Sequence, residues 1–296
     1  ITPLQRPEAL VNQEFLTEEE AANLEQATVD REESLLNRPA RRTKAGGNVD
    51  RGEDGALGAY NDFWLDRGTT TTTSRRTSLI VDPSDGRLPA LTTEGETLRQ
   101  VGSLWEDLPI PQPVRVRSAG TGADQPEDRG LAERCLVGFN SGPPMMPSGY
   151  NNNMQLFQTA EHVVILNEMV HDLRVIPLDG RPHLPDDVRQ WAGSSRGYWD
   201  GDTLVVETRN YDPRSRYSGG SAALVLTERF NRIAPDLLRH EVMIEDPDTW
   251  MEPWTVELLL DLTQDPIFEY ACHEGNYAMP GILAGARAEE RAAAER

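Results

Sequence analysis

The second half of this chain predicts a mainly β fold, an antiparallel meander closed into a barrel or sandwich. Two observations carry that expectation. Apolar runs of strand length recur at 155–158, 162–167, 173–178, 197–199, 203–208, 224–230, 237–244, 255–262 and 267–272, the spacing of an all-β architecture. Turn residues punctuate them, and Asp200-Gly201 between Trp199 and Asp202 is a two-residue hairpin signal of the type I′ kind.

The elements before this series are sparser. Residues 1–16 read as an extended lead-in, and Thr17-Glu-Glu-Glu20 is a capping box that opens a helix over 18–36. Leu24 and Val29 give that helix only a thin apolar stripe, so it should lie on the surface of something else. Residues 37–58 are charged and Gly-rich and read as a loop. Tyr60-Asn-Asp-Phe-Trp-Leu-Asp-Arg67 reads either as an aromatic anchor or as a pocket rim with Tyr60, Asn61, Asp66 or Arg67 on it. Residues 69–73 suit an edge strand, 76–81 a strand ending in the Asp82-to-Arg87 turn, and 92–106 a short helix. The strand-Pro-Asp-Gly-Arg pattern near residue 78 returns near residue 173, and reads as one turn chemistry used twice rather than a duplicated hairpin. The Ala-, Glu- and Arg-rich end is helical by propensity and should fray. The expected organisation is an N-terminal extension over 1–59, a β-barrel domain over 60–280 and a helical tail over 281–296.

Composition narrows the partners. A formal charge of -20, from 49 acidic against 29 basic residues, repels phosphate backbones, so nucleic acid is not an expected partner. No run of 18 apolar residues predicts a membrane span. The sole lysine, Lys44, sits in a polar stretch with nothing to lower its pKa, which argues against Schiff-base chemistry. Cys135 and Cys272 form no CxxC pair and read as a structural disulfide of an exported protein, with two buried thiols as the alternative. The start at Ile1, with no apolar leader ahead of it, fits a processed exported chain or a trimmed one.

The stretch 161–207 holds three of the five histidines, many charges and an Asp-Gly-Arg turn in an apolar background. Charges placed inside must be paired, so this is where a site is expected. Glu168, His171, Asp172 and Arg174 lie together; on a strand His171 shares a face with Leu173 and Val175, opposite Asp172 and Arg174. A histidine facing a barrel interior, oriented by Glu168 or Glu274, has the makings of a general acid or base. Arg181 offers a fork of donors for an anionic ligand, unless Asp179 takes them, and His183 follows it. His273 and Glu274 close the last predicted strand as a pocket mouth. A metal held by His171, His183, His273 and Glu168 or Glu274 is a weak expectation, because no HExxH or HxH spacing is present. Gly193-Ser-Ser195-Arg-Gly197 matches a nucleophile elbow in letters, but lacks the strand before and helix after. Trp191, Trp199, Trp250 and Trp254 read as core, or as a stacking platform with Trp199 against a ligand. His162 and His240 read as packing or surface residues.

Several blocks, among them YNDFWLDRGT, GPPMMPSGYNNN, EMVHDLRVIPLDGRPHLP, SRGYWDGDTLVVET and YACHEGNY, together resemble a family of exported bacterial β-rich proteins of uncharacterised activity. The likeness runs from about residue 4 to 287. Such proteins usually open with an export signal and an Asp-Leu-x-Gly-x-Trp segment, which this sequence does not contain. The resemblance implies a lipocalin-like barrel and a periplasmic or secreted location; it implies no reaction and no catalytic residues.

The leading expectation is an exported hydrolase or lyase acting on a small molecule in the barrel mouth. His171, His183, His273, Glu274 and Glu168 are its acid-base candidates, and Arg174, Arg181, Tyr60, Asn61 and Trp199 its binding candidates, with no cofactor. The competing classes are a non-catalytic small-molecule-binding barrel and a structural or assembly protein, with homo-oligomerisation open in each.

Overall fold

The computed structural model describes residues 2–36, 68–71, 73–103, 122–213, 215 and 220–295. Helix α1 (Glu18–Leu36) starts where the capping box places it: the Glu20 backbone N–H donates to Thr17 Oγ1 at 3.2 Å, and the Thr17 N–H donates to Glu20 Oε2 at 2.8 Å. Strand β1 (Ile80–Asp82) and helix α2 (Thr93–Ser103) follow. Eight strands complete the β series: β2 (Met154–Gln158), β3 (His162–Asn167), β4 (Leu173–Pro177), β5 (Ser194–Asp200), β6 (Thr203–Arg209), β7 (Val225–Ala234), β8 (Leu237–Glu245) and β9 (Trp254–Asp261). Helix α3 (Ala278–Ala294) ends the chain with no buried residue.

The strands form two antiparallel sheets, one of six in the order β1-β9-β8-β7-β6-β5 and one of three in the order β2-β3-β4. Among the described residues no sheet closes, so the expected barrel is corrected to two open layers. The break falls between β4 and β5. Strand β4 ends on Pro177, which has no N–H to donate, and Pro182 and Pro185 follow in the connection. β4 therefore lies over β5 instead of beside it, and Gly197 permits the approach: a Cβ there would sit 2.9 Å from Ile176 and 3.0 Å from Leu178. The 267–272 segment also forms no strand, because the chain leaves the sheet to reach the disulfide. Nor do residues 69–71 and 73 form the expected edge strand. The β1 edge is covered instead by the lead-in, whose Pro3 and Leu4 carbonyls accept from the Leu79 and Ile80 N–H groups.

Three turns refine the sequence reading. In the β5–β6 hairpin Asp200 pairs with Thr203, so Gly201 and Asp202 make the turn. Only Gly201 has positive φ, +60°, which is the II′ geometry rather than I′. The two Asp-Gly-Arg turns do share one chemistry: Arg87 N–H donates to Asp85 Oδ1 at 2.9 Å and Arg181 N–H to Asp179 Oδ1 at 3.2 Å. The strands before them belong to different sheets.

One face of the large sheet is buried. Val163, Ile165 and Ile176 of the small sheet pack on Leu204, Val206 and Phe230; the rest of the face, with Val242, Ile244, Val256 and Leu258, is covered by loops carrying Leu131 and Val137 and by Trp250. A polar triad crosses between the layers. Arg174 of β4 holds Glu228 of β7 through two bonds, 2.5 and 3.1 Å, and His240 Nε2 donates to Glu228 Oε1 at 3.1 Å. The Glu228 side chain is fully buried and that of His240 is 2% exposed. His240 also stacks on Phe230, with ring centroids 4.1 Å apart. Burial alone would raise the Glu228 pKa, but the Arg174 charge and the bonds from His240 and Arg174 outweigh it and hold the group at about 2. This decides the face of β4 that the sequence left open: Arg174 turns inward, while Leu173 and Val175 are 57% and 51% exposed.

Cys135 and Cys272 form the expected disulfide, with Cα atoms 5.7 Å apart across a sequence separation of 137. No helix among the described residues is long and apolar enough to cross a membrane.

Three outcomes follow for stability. Glu228→Ala strands two buried donors and should cost about 3–5 kcal/mol in urea unfolding, whereas replacing the triad by Met, Leu and Phe should cost less. A folded pKa of about 2 against 4.5 for the free group means the contribution of Glu228, on the order of 3 kcal/mol, is complete above about pH 5 and lost as pH falls through about 2. The urea midpoint should fall across that window, and a Glu228→Gln protein should show a flatter profile; equal slopes would remove the triad from the account. Reducing the disulfide should lower stability by about 2–5 kcal/mol, read from the same unfolding curve with and without reductant.

Candidate functional site

A groove of about 1130 Å³ opens between β2 and β3 of the small sheet and the end of the large sheet where the β5–β6 and β7–β8 hairpins turn and β9 stops. Alternation along the strands builds its floor. Leu204, Phe230, Leu238 and Leu260 all project from the covered face, and Val163 meets them from β3. The rim comes from the turns, where polar residues are expected, and holds Asp202, Asp236, Asp261 and Asp265 against Arg232. The Arg232 guanidinium is occupied with the Pro235 carbonyl, to which Nε donates at 3.1 Å. Trp199, 44% exposed, stands on the wall. Apolar floor and acidic rim together favour a ligand with an apolar body and a neutral or positive end.

The residues singled out from sequence take separate places. Arg174 belongs to the triad and does not line the groove. Arg181 spends its fork on Asp179, with Nε donating to the two carboxylate oxygens at 2.9 and 2.7 Å, so the turn and not a ligand takes its donors. Its guanidinium holds the Asp179 carboxyl down to about 2. His183 lies 3.0 Å from Glu207 through Nε2, and Arg209 shares the same carboxylate. Its pKa is lowered, first by burial and then by the charge of Arg209.

A third group gathers near the disulfide. Glu168, 7% exposed, accepts from the Asn153 side-chain amide at 2.9 Å and pins the 140–153 loop. His171 is exposed, with Nδ1 3.2 Å from the Tyr270 carbonyl. Asp172 accepts from Ser141 Oγ at 2.8 Å, and burial pushes its carboxyl up. His273 and Glu274 follow on an exposed turn instead of ending a strand. None of these histidines or glutamates lines the groove. Val170 and His171 both have positive φ, 62° and 45°, a local strain that fixes the sharp β3–β4 connection. Tyr60, Asn61, Asp66 and Arg67 lie outside the described residues.

Among the described residues no group of three or more His, Cys, Asp or Glu side chains converges as a metal site would require. Ser195 is a strand residue, its hydroxyl 2.8 Å from that of Thr208 across the β5–β6 pair, so the elbow resemblance is one of letters. Trp250 and Trp254 meet edge to face at 5.4 Å within the core.

Sequence reasoning missed Glu228 and read His240 as a packing or surface residue. The signal was there. Leu226, Glu228 and Phe230 alternate onto one face, as do His240, Val242 and Ile244, so each of these buried stretches carries one ionisable group among apolar residues. No protein family, curated protein or solved structure matches this chain.

Proposed function

We propose that this protein is an exported, non-catalytic binder of a small organic molecule, held in the groove between the two sheets. The observation that carries the reading is the pairing of an apolar floor, Val163, Leu204, Phe230, Leu238 and Leu260, with a rim of four aspartates and one arginine. The groove slightly exceeds the usual small-molecule range of about 300–1,000 Å³. An aliphatic or aromatic body removes that floor from water, and a cationic or neutral head avoids the repulsion an anion would meet. The disulfide supports a periplasmic or secreted setting.

A second reading, acid-base catalysis of the hydrolase or lyase type, rests on one feature. Asp172, with its raised pKa, adjoins His171 near the disulfide. The two readings part at His171→Ala: turnover should be lost with the fold intact if the protein is an enzyme, whereas a binder has no turnover to lose and keeps its groove affinity.

Calorimetric titration with decyltrimethylammonium and decyl sulfate, equal chains with opposite heads, tests the groove. The cation should bind more tightly, and the combined Asp202→Asn, Asp236→Asn and Asp261→Asn changes should weaken it about tenfold while sparing a neutral alcohol of the same length. Equal affinity for the two heads, or indifference to the rim changes, overturns the reading.

A further inference from the structure

Strand β2 is an outer strand of the small sheet, and its sequence, Met154-Gln-Leu-Phe-Gln158, holds no charge and no proline. Its register with β3 runs without a bulge. Edge strands are normally blunted by such devices or covered, because their unpaired N–H and C=O groups template another strand. The β1 edge is covered by the lead-in, and β4 ends on Pro177. Two flanking bonds, from the Glu168 N–H to the Asn153 carbonyl and from the Thr159 N–H to that of His162, set the parity of the β2–β3 ladder. Gln155 and Phe157 therefore bond to β3, and the N–H and C=O groups of Met154, Leu156 and Gln158 point away from it. Among the described residues none of these six groups has a hydrogen-bond partner. The open edge borders the groove: Gln155 and Leu156 point to opposite faces of the sheet, yet both line it, so the groove meets β2 along its edge.

We infer that the groove takes an extended peptide, which adds to β2 as an antiparallel fourth strand of the small sheet. This rests on the groove reading above and narrows its small organic molecule to a short peptide with apolar residues at alternate positions and a basic residue at an end. Met154, Leu156 and Gln158 share the face of the small sheet that packs on the large one, since they pair with Asn167, Ile165 and Val163. In antiparallel addition the residues that bond to them carry their side chains on that same face, toward the apolar floor. A lysine or arginine meets the rim of Asp202, Asp236, Asp261 and Asp265, which repels an acidic residue. Main-chain bonds supply affinity in such strand addition, and the alternate side chains supply specificity. A second copy of β2 would satisfy the same edge, but its strand brings no cation to the rim and its chain carries a formal charge of -20.

The intact protein is titrated with acetyl-Lys-Val-Thr-Val-Lys-amide, with the same peptide N-methylated at both valines or at the threonine, and with a form carrying glutamate for both lysines. Methylation at the valines removes the donors aimed at β2 and should weaken binding by about tenfold or more, whereas methylation at the threonine, on the far edge, should leave affinity as it was. The glutamate form should bind about tenfold more weakly than the lysine form. Amide hydrogen exchange reads the edge directly: saturation with the lysine peptide should slow exchange at Met154, Leu156 and Gln158 and leave Gln155 and Phe157 as they were. Binding of decyltrimethylammonium without binding of the lysine peptide overturns this inference and leaves the groove reading standing; binding of neither overturns both. Indifference to valine methylation, a larger loss on threonine methylation, or equal affinity of the glutamate form also overturns it. So does sedimentation as a dimer with the three edge amides protected before any peptide is added.

Discussion

A carboxylate with no exposed surface is the constraint on which the arrangement of the two layers depends. Glu228 lies between Val206 and Val242 on the covered face of the large sheet, where an uncompensated charge would not be tolerated. Its neighbours within the sheet supply one donor, His240; the guanidinium comes from β4, in the other sheet. The small sheet is thereby tied to one position and one register. A slip of one residue in β4 would turn Leu173 or Val175 inward and leave Arg174 in solvent with Glu228 bare. Apolar packing of Ile176 on the same surface provides area but tolerates sliding; the forked bond does not.

The split into two layers and the acidic balance act together on the groove. A closed barrel would have filled this space with β-strand and sealed the end. Because β4 lies over β5, the small sheet covers only the β5–β7 side, and the hairpin ends of the large sheet stay open to solvent. The turns there carry aspartates, as turns commonly do, and in a chain of formal charge -20 few cations are near to neutralise them. The disulfide joins the loop before β2 to the segment after β9. It draws residues 267–272 away from the sheet edge they were expected to extend.

How much was legible in the sequence follows from what each signal reports. Period-two alternation and turn residues are local, and they located the strands from 154 to 262, the capping box at Thr17 and both helices that follow from it and from residue 92. Closure is not local: it depends on whether β4 bonds to β5, and Pro177, which ends β4, read only as part of the strand over 173–178. The site shows the same limit. His171, Arg181 and His183 looked like a cluster because they are close in sequence, yet each is held by a neighbour of its own: a carbonyl of Tyr270, the carboxylate of Asp179 and that of Glu207. Glu228 and His240 were visible as ionisable residues on apolar faces, but their partner lies 54 residues from Glu228 in sequence, and no local pattern names it.

The register across the large sheet explains how one face carries two hollows of different character. Successive rows run from Arg232, Leu238 and Leu260 at the hairpin end, through Leu204, Phe230, His240 and Leu258, to Val206, Glu228, Val242 and Val256, and then Thr208, Leu226, Ile244 and Trp254. The groove draws its floor from the first two rows, and a smaller apolar hollow of about 370 Å³ takes Val256, Ile244 and Trp254 of its wall from the last two. Phe230 faces the groove and stacks on His240, which bonds Glu228 one row deeper. The ionic triad therefore stands between a compartment with an acidic rim and one lined by no charged side chain. Because all four rows are fixed by a single set of strand pairings, any change that shifts β7 against β8 displaces floor, triad and wall together. The groove and the cavity are in that sense two consequences of one register.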